Sequence, residues 1–176
     1  MENFIAFNPT SLHFGKGVLN QLGITINKYG KKVLLVYGKS SVKSNGLYEV
    51  IKQQIESVGA EVFEYSGIQS NPLVQDVDSA AALGREKAID VILAVGGGSV
   101  IDSAKIISIA IPVDAPAWGF FERRVMPRSA VPLIAVLTLA ATGTEMNQFA
   151  VLSNHEAEIK SGYGNPLLYP RHSFLD

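Results

Sequence analysis

The chain has 176 residues, of which 47% are hydrophobic and 18% are charged. This composition excludes a disordered chain, because it supplies enough apolar side chains for a sizeable core, and the length favours one domain. Fifteen Lys and Arg residues against 16 Asp and Glu residues leave a formal net charge of -1, so neither nucleic acid nor an anionic membrane is an expected partner.

Cysteine usage and hydropathy indicate the cellular compartment of the protein. The sequence contains no cysteine, which excludes disulfides and thiolate chemistry. The polar start at residues 1–3 does not resemble a secretory signal. The longest apolar stretch, residues 130–141, is broken by Pro132 and Thr138 and is shorter than the roughly 20 residues of a membrane helix. We therefore expect a soluble protein of the cytoplasm.

Short apolar runs alternate with longer segments of helical period along the chain. Three continuous β-branched and aliphatic runs predict parallel strands covered on both faces, at residues 33–37, 91–95 and 133–137. Between the first two runs, residues 47–58 carry apolar side chains at helical spacing, and Gly59 is placed to end that helix in a left-handed cap. Residues 61–65 then alternate as a strand.

Two further helices complete the predicted core. Asn71 and Pro72 predict the cap and first turn of a helix that runs to about Lys87. Another helix is predicted from Ser99 to Ala110. The order of strands and helices predicts an α/β fold, a Rossmann-like parallel sheet with helices on both faces, in which ligands bind at the carboxyl ends of the strands.

The two flanks of the core predict β-hairpins. One hairpin would pair Phe4–Phe7 with Leu12–Phe14, and the other would pair Phe149–Ser153 with Ile159–Tyr163. The last residues, 166–176, are interrupted by proline and have no helical period. From this apolar end with no polar tail we expect a fragment of a longer protein, so we interpret residues 1–176 as one domain of it.

A glycine-rich turn is the strongest local signal for ligand binding. Gly96, Gly97, Gly98 and Ser99 lie between a predicted buried strand and a predicted helix. Backbone N–H groups at such a helix start favour an anion, and glycine lets a diphosphate approach the backbone closely. The alternative is a tight turn that requires positive φ angles. The pattern is neither Gly-x-Gly-x-x-Gly nor a P-loop.

Two longer motifs resemble a known family. Residues 96–105 read Gly-Gly-Gly-Ser-Val-Ile-Asp-Ser-Ala-Lys and residues 141–147 read Ala-Thr-Gly-Thr-Glu-Met-Asn. Together they resemble the cofactor-binding half of the iron-containing (group III) alcohol dehydrogenases. The second motif looks most like the butanol dehydrogenase and NADPH-dependent aldehyde reductase branch. Many members have a proline after the threonine that ends the third strand, where this chain has Thr138-Leu139-Ala140. The resemblance therefore does not predict the backbone conformation at these residues. Shorter motifs follow in the family's usual order, at residues 7–10, 14–17, 37–41, 71–72 and 117–119.

The resemblance implies that residues 1–176 form a dinucleotide-binding domain. The residues that it assigns to the cofactor are Gly97, Gly98 and Ser99 at the diphosphate; Asp102 beside the nicotinamide; Asn71 near the adenosine; Thr138, Leu139 and Thr142 along the nucleotide groove; and Asn147 and Lys160 at the nicotinamide ribose.

Each of these side chains also has a structural interpretation. Thr142 and Asn147 would cap or turn the backbone around Gly143. Lys160 would be a solvated charge on a hairpin, and Asp102 would form an ordinary i, i+3 ion pair with Lys105. The aromatic residues 118–121 are expected to pack in the core rather than face a substrate.

The choice of cofactor depends on the end of the first parallel strand. An acidic side chain there would bind the ribose 2'-hydroxyl of NAD and repel the 2'-phosphate of NADP. This chain instead has Gly38, Lys39 and Ser40, a set that suits a phosphate. The sequence therefore predicts NADP in preference to NAD. The alternative is that Lys39 is a solvated loop lysine.

The resemblance also implies a divalent metal, Fe or Zn, held in the full-length enzyme by an aspartate and three histidines. The pattern Asp-x-x-x-His does not occur in this sequence. His172 and Asp176 have a four-residue spacing in the reverse order, and in an extended segment they would lie about 13 Å apart, too far to share one ion. We therefore expect no metal site in this chain.

The predicted function is hydride transfer between NADP(H) and a small alcohol or aldehyde in the full enzyme. The isolated chain is expected to be inactive, and a homodimer is a family expectation. One alternative is a nucleotide-binding module without turnover. Another is a glycerol dehydrogenase-like or dehydroquinate synthase-like member of the wider superfamily, against which residues 141–147 argue.

Overall fold

The computed structural model describes the chain from residue 3 to residue 176 with a few gaps. The residues outside the description are Met1, Glu2, Phe4, Ala6, Ser40 and Asn45, together with the side chain of Ser41. The predicted contact of Ser40 with the cofactor therefore lies outside the described residues.

Six parallel strands form the main sheet, as the sequence predicts. In chain order its strands are β1 Ser11–Phe14, β2 Lys32–Gly38, β3 Glu61–Ile68, β4 Val91–Gly96, β5 Leu133–Leu137 and β8 His172–Leu175. Their order across the sheet is β1-β8-β5-β4-β2-β3, and every neighbouring pair is parallel. The strand order reverses between β2 and β4, which is where ligands bind in open sheets of this kind.

The helices cover both faces of this sheet. They are α1 Leu22–Ile26, α2 Ser41–Ser44, α3 Leu47–Ser57, α4 Val74–Glu86, α5 Gly98–Ala110 and α6 Trp118–Phe121. Alternate residues of β2 point to opposite faces. Leu35 therefore packs in one core cluster with α1 and α3, while Leu34 packs in the other with α4 and α5. Each fully buried Leu or Ile contributes roughly 1.5–3 kcal/mol through burial.

The predicted end of α3 is confirmed. Gly59 has φ +65°, and its N–H donates to the Glu56 carbonyl, while the Ala60 N–H donates to the Ile55 carbonyl. This pattern is a Schellman motif, which satisfies the last carbonyls of the helix.

The amino-terminal hairpin prediction is wrong for the strand that the structure describes. Residues Ser11–Phe14 form β1, but β1 pairs in parallel with β8 at the far end of the chain. The proposed partner segment includes Phe4 and Ala6, which lie outside the described residues. Local alternation identified the strand but carried no information about its partner.

The start of α4 also differs from the prediction. The helix begins at Val74, and Asn71 and Pro72 precede it in an irregular segment. Leu73 has extended backbone angles and bridges to Ser153. The Pro72 carbonyl accepts a hydrogen bond from the Ser153 N–H at 2.8 Å, so contacts with a distant strand override the local helix signal.

The second predicted hairpin is confirmed. Strands β6 Phe149–Asn154 and β7 Ile159–Gly164 pair in antiparallel register. This hairpin packs against α4 and α5 at the carboxyl edge of the sheet. The aromatic residues of α6 pack near it, with Trp118 stacked on Phe121 and Phe121 in contact with Tyr163, which agrees with a packing role.

Candidate functional site

A crevice lies where the strand order of the main sheet reverses. Two adjoining cavities of about 560 Å³ each occupy it and share residues 68–70 in their walls. One cavity is lined by Gly38, Lys39, Asn71 and His155, and the other is lined by the glycine turn and by the residues after β5. Each volume falls in the usual range of small-molecule sites.

The glycine turn does not need glycine for its own backbone. Gly97 has φ -86°, and none of the three glycines has a positive φ angle. The alternative interpretation, a tight turn with left-handed residues, is therefore wrong.

Packing explains only the first of the three glycines. A Cβ atom on Gly96 would lie 2.6 Å from Val100 Cγ2, which is a clash. A Cβ atom on Gly97 would come no closer than 3.8 Å to a neighbour, and one on Gly98 no closer than 3.6 Å. Neither conformation nor packing accounts for Gly97 and Gly98, whereas close approach of a ligand to the backbone does.

The start of α5 offers free backbone donors to this crevice. Gly97 is the N-cap residue and forms no side-chain cap hydrogen bond. The Val100 N–H donates to the Gly97 carbonyl at 3.1 Å, so the N–H groups of Gly98 and Ser99 are the donors of the first turn without a partner in the helix. The helix dipole adds about half a positive charge. The hydroxyl of Ser99 donates to the Ser70 carbonyl at 2.7 Å, which fixes the turn against the segment after β3.

The predicted groove residues after β5 lie against the same turn. Thr138 and Leu139 line the cavity with Gly97 and Gly98. The Thr142 hydroxyl oxygen lies 3.6 Å from the position of a Cβ on Gly98. The structure therefore brings these predicted residues together with the diphosphate candidates.

Asn71 and Lys160 lie together rather than at opposite ends of a nucleotide. Lys160 Nζ donates to Asn71 Oδ1 at 3.2 Å, and both residues are exposed. The resemblance places Asn71 near the adenosine and Lys160 at the nicotinamide ribose, but side chains in contact face the same part of any bound molecule. That separation of roles does not fit the structure, because docking of β7 on the segment before α4 brings the two residues together.

Asp102 and Asn147 do not line the two cavities and instead belong to a buried polar cluster. Asn147 Oδ1 accepts from Lys105 Nζ and from the Phe149 N–H, and Asn147 Nδ2 donates to the Gly143 carbonyl. The bond to Gly143 agrees with the structural interpretation of Asn147. Asp102 Oδ1 accepts from the Thr144 hydroxyl at 2.5 Å.

Lys105 lies at the site, although the sequence predicted no role in cofactor binding for it. Its side chain is fully buried, and its Nζ lies 2.8 Å from Thr144 Oγ1. Asp102 and Lys105 are thus joined through Thr144 rather than as an i, i+3 ion pair. A lysine inside the apolar segment 104–110 was the available signal, since charged residues are rarely buried without partners. We call Asp102, Lys105, Thr144 and Asn147 the lysine cluster.

Burial shifts the charged groups of the lysine cluster. Burial lowers the pKa of Lys105 to about 8, and the nearby carboxylates of Asp102 and Glu145 oppose that shift. Burial raises the pKa of Asp102, while the hydrogen bonds from Thr144 and from the Val151 N–H oppose the rise. The cluster therefore holds a charged pair under a desolvation penalty that its hydrogen bonds offset.

Among the described residues, no group of three or more His, Asp or Glu side chains is placed to hold a metal ion. The described helices include none that is long and apolar enough to cross a bilayer.

Comparison with known proteins identifies the family. The sequence model of the iron-containing alcohol dehydrogenase family matches residues 9–176. The chain belongs to this family. The two motifs at residues 96–105 and 141–147 lie within the matched range, and the predicted resemblance to this family is confirmed.

The similar proteins are longer than this chain. It is 46% identical over 176 residues to the probable NADH-dependent butanol dehydrogenase 1 of Bacillus subtilis, covering all of this chain and 46% of that protein. It is 35% identical over 179 residues to the NADPH-dependent aldehyde reductase YqhD of Escherichia coli, again covering 46% of that protein. The chain thus spans less than half the length of these relatives.

A solved structure shows the same fold. The NADH-dependent butanol dehydrogenase A of Thermotoga maritima superposes with a TM-score of 0.95 at 38% identity, covering all of this chain and 44% of that chain. The six-stranded sheet with its hairpin is therefore the amino-terminal half of this family's architecture, and the second domain lies outside this chain.

Proposed function

We propose that this chain is the dinucleotide-binding domain of an alcohol dehydrogenase or aldehyde reductase. The full enzyme would transfer a hydride between a nicotinamide dinucleotide and a small alcohol or aldehyde. One observation carries the proposal: Gly97 and Gly98 open an uncapped 13-residue helix, and neither their conformation nor their packing requires glycine. The family and the names of the relatives support the reaction class.

The residues of this chain would bind and orient the dinucleotide. The N–H groups at the start of α5 would donate to the diphosphate oxygens, and Thr138 and Leu139 would cover the nucleotide from the β5 side. The nicotinamide, when bound, supplies the hydride chemistry, and the protein supplies orientation. The role proposed for the described residues is therefore to bind and orient the dinucleotide.

The glycine turn gives a direct test by substitution. Gly97→Val and Gly98→Val place side chains in the space assigned to the diphosphate, so the affinity for NADPH should fall by about tenfold or more in a fluorescence titration. Gly162→Val is the matched control, since a Cβ there meets nothing closer than 4.0 Å and Gly162 lies on β7, outside the residues that line the crevice. Unchanged affinity in both turn variants would overturn the proposal.

For the cofactor, we propose NADP in preference to NAD. Lys39 is exposed and lines the cavity beside Gly38, and no acidic side chain lines that cavity among the described residues. A lysine at this place attracts a 2'-phosphate. The names of the relatives divide, since the Bacillus and Thermotoga proteins are named for NADH and the Escherichia protein for NADPH.

The cofactor proposal is tested with Lys39→Ala. We expect parent affinity for NADPH to exceed that for NADH, and the variant to lose about tenfold for NADPH while its affinity for NADH changes by less than about twofold. Lys28→Ala serves as a matched surface lysine, since Lys28 is exposed and does not line the two cavities. Tighter binding of NADH by the parent would contradict the proposal.

A module without turnover remains the second candidate for the isolated chain. The resemblance implies that the metal ligands lie outside this chain, so these residues alone should bind a dinucleotide without oxidising an alcohol. Assaying the purified chain for NADP reduction with butanol and a divalent metal tests this. Measurable turnover would reject the candidate.

A further inference from the structure

Lys105 is a buried cation whose hydrogen bonds are completely accounted for. It lies on α5 with no exposed surface. Its ammonium group has three N–H donors, which reach Thr144 Oγ1 at 2.8 Å, Asn147 Oδ1 at 3.0 Å and the Phe149 carbonyl at 2.8 Å. Every donor is therefore used, and all three partners come from the segment that follows β5.

The direction of the hydrogen bonds in this cluster is fixed. Thr144 has one hydroxyl hydrogen, and it donates that hydrogen to Asp102 Oδ1 at 2.5 Å. The Thr144 oxygen must then accept from Lys105. Asp102 Oδ2 accepts from the Val151 N–H at 3.0 Å, so both carboxylate oxygens have a partner. A single threonine hydroxyl thus links the ammonium group to the carboxylate.

The lysine cluster joins the elements that form the crevice. Lys105 and Asp102 lie on α5, whose first turn carries the diphosphate candidates. The Thr144 methyl lies 3.9 Å from the position of a Cβ on Gly98. Val151 lies on β6, and the paired strand β7 carries Lys160. Displacement of Thr144 would therefore act on the turn at Gly98 and, through Asp102, on strand β6.

We propose that Lys105 is a positioning residue for dinucleotide binding, which acts through Thr144 to hold Asp102 and through Asn147 to hold the turn after β5. The inference rests on the proposed function. It assigns the cluster to the diphosphate end of α5, because the Thr144 methyl lies 3.9 Å from the position of a Cβ on Gly98 and Asp102 lies one helical turn after Ser99.

Other donors do not replace the ammonium group here. An arginine has five N–H donors in a planar fork, so two would remain without partners in a site that is fully buried. A glutamine carries two N–H donors, so one acceptor would remain unpaired. The direct test therefore changes the threonine bridge and leaves Lys105 in place.

The test compares Thr144→Val with Thr144→Ser. The valine keeps the branched shape and removes the hydroxyl, and the serine restores the hydroxyl. Calorimetric titration with NADPH and with ADP tests the diphosphate end of the site, since both ligands carry the diphosphate. We expect Thr144→Val to lose about tenfold in affinity for both ligands, and Thr144→Ser to stay within about threefold of the parent for both.

Ser108→Ala is the matched control on the same helix. The Ser108 hydroxyl is buried and donates to the Lys105 carbonyl, away from the crevice. We expect this variant to bind both ligands as the parent does. A loss for NADPH that ADP does not share in Thr144→Val, or equal NADPH affinities of the valine and serine variants, would overturn the inference. A parent that binds neither ligand would instead refute the proposed function.

A second measurement covers the case in which Thr144→Val does not fold. The affinity of the parent for NADPH and for ADP should fall between about pH 7 and pH 9.5, as Lys105 loses its proton. The charged groups that face Lys105 are Asp102 on its own helix and Glu145 in the turn after β5. Affinities for both ligands that do not change over this range would reject the positioning role.

Discussion

Two groups of polar side chains at the main sheet differ in whether a carboxylate takes part. The lysine cluster lies at the carboxyl edge and links a buried ammonium group to Asp102 through Thr144. The histidine pair, His13 and His172, joins β1 to β8, with His13 Nε2 and His172 Nδ1 3.0 Å apart. His13 also stacks on Phe174, with ring centroids 4.2 Å apart.

The difference decides how each group responds to charge. Burial lowers the pKa of both Lys105 and His172. For Lys105 the nearby carboxylates oppose the shift, so the ammonium group stays charged at neutral pH. For His172 the neighbouring charges, His13 and Lys28, lower the pKa further. A buried cation with an anion can therefore serve as a structural link at neutral pH, whereas the burial of His172 and the positive charges near it favour its neutral form.

The largest expected effect in this comparison follows from removing the lysine. Lys105→Met leaves Thr144, Asn147 and the Phe149 carbonyl without a donor and Asp102 without its counter-charge. We expect a loss of about 3–5 kcal/mol in the free energy of unfolding, measured with urea. His172→Phe is the comparison variant and should lose much less, because the histidine pair is half-exposed. Equal losses would show that the carboxylate makes no difference.

Much of the fold that surrounds these groups follows from local sequence. The continuous apolar runs at residues 91–95 and 133–137 define buried parallel strands, and β4 and β5 occupy them. The prediction of an amino-terminal hairpin is wrong because Ser11 of β1 pairs with His172 of β8. Local alternation of apolar and polar residues does not encode a contact between residues so far apart in the sequence. The early helix start at Asn71 fails for the same reason, since Leu73 bridges to Ser153.

The candidate site divides in a similar way. The glycine turn after β4 was visible in the sequence because its residues are contiguous and its chemistry is local. The lysine cluster was not visible, because the partners of Lys105 lie 39 to 44 residues further along the chain and a lysine is ordinarily solvated. The contact of Asn71 with Lys160 depends on how the hairpin docks, which residue spacing does not reveal.

An intermediate effect is expected on the alkaline side of neutral. The pKa of Lys105 is about 8 in the folded chain against 10.5 in its ordinary state. Between these values the unfolded chain holds a proton that the folded chain has released, so linkage predicts that stability rises with pH. Urea unfolding should show a gain of about 2 kcal/mol between about pH 7.5 and pH 9.5. His172→Phe should keep this gain and Lys105→Met should lack it; a flat profile in the parent would contradict the assignment.

The smallest effect concerns the histidine pair on the acid side. Because the pKa of His172 is lowered in the folded chain, the unfolded chain binds a proton first as pH falls below about 6.5. Stability is therefore complete above that pH and decreases as pH falls towards the folded value. The loss should stay below about 1 kcal/mol, since water screens a half-exposed pair.

His172→Phe keeps an aromatic ring against Tyr29 and removes the titrating group, so its unfolding free energy should depend less on pH between about pH 7 and pH 5. A folded Lys105→Met variant should keep the parent's dependence of unfolding free energy on pH between about pH 7 and pH 5, because the lysine cluster and the histidine pair share no residue. If this dependence changed in Lys105→Met and not in His172→Phe, the roles assigned to the two groups would be reversed.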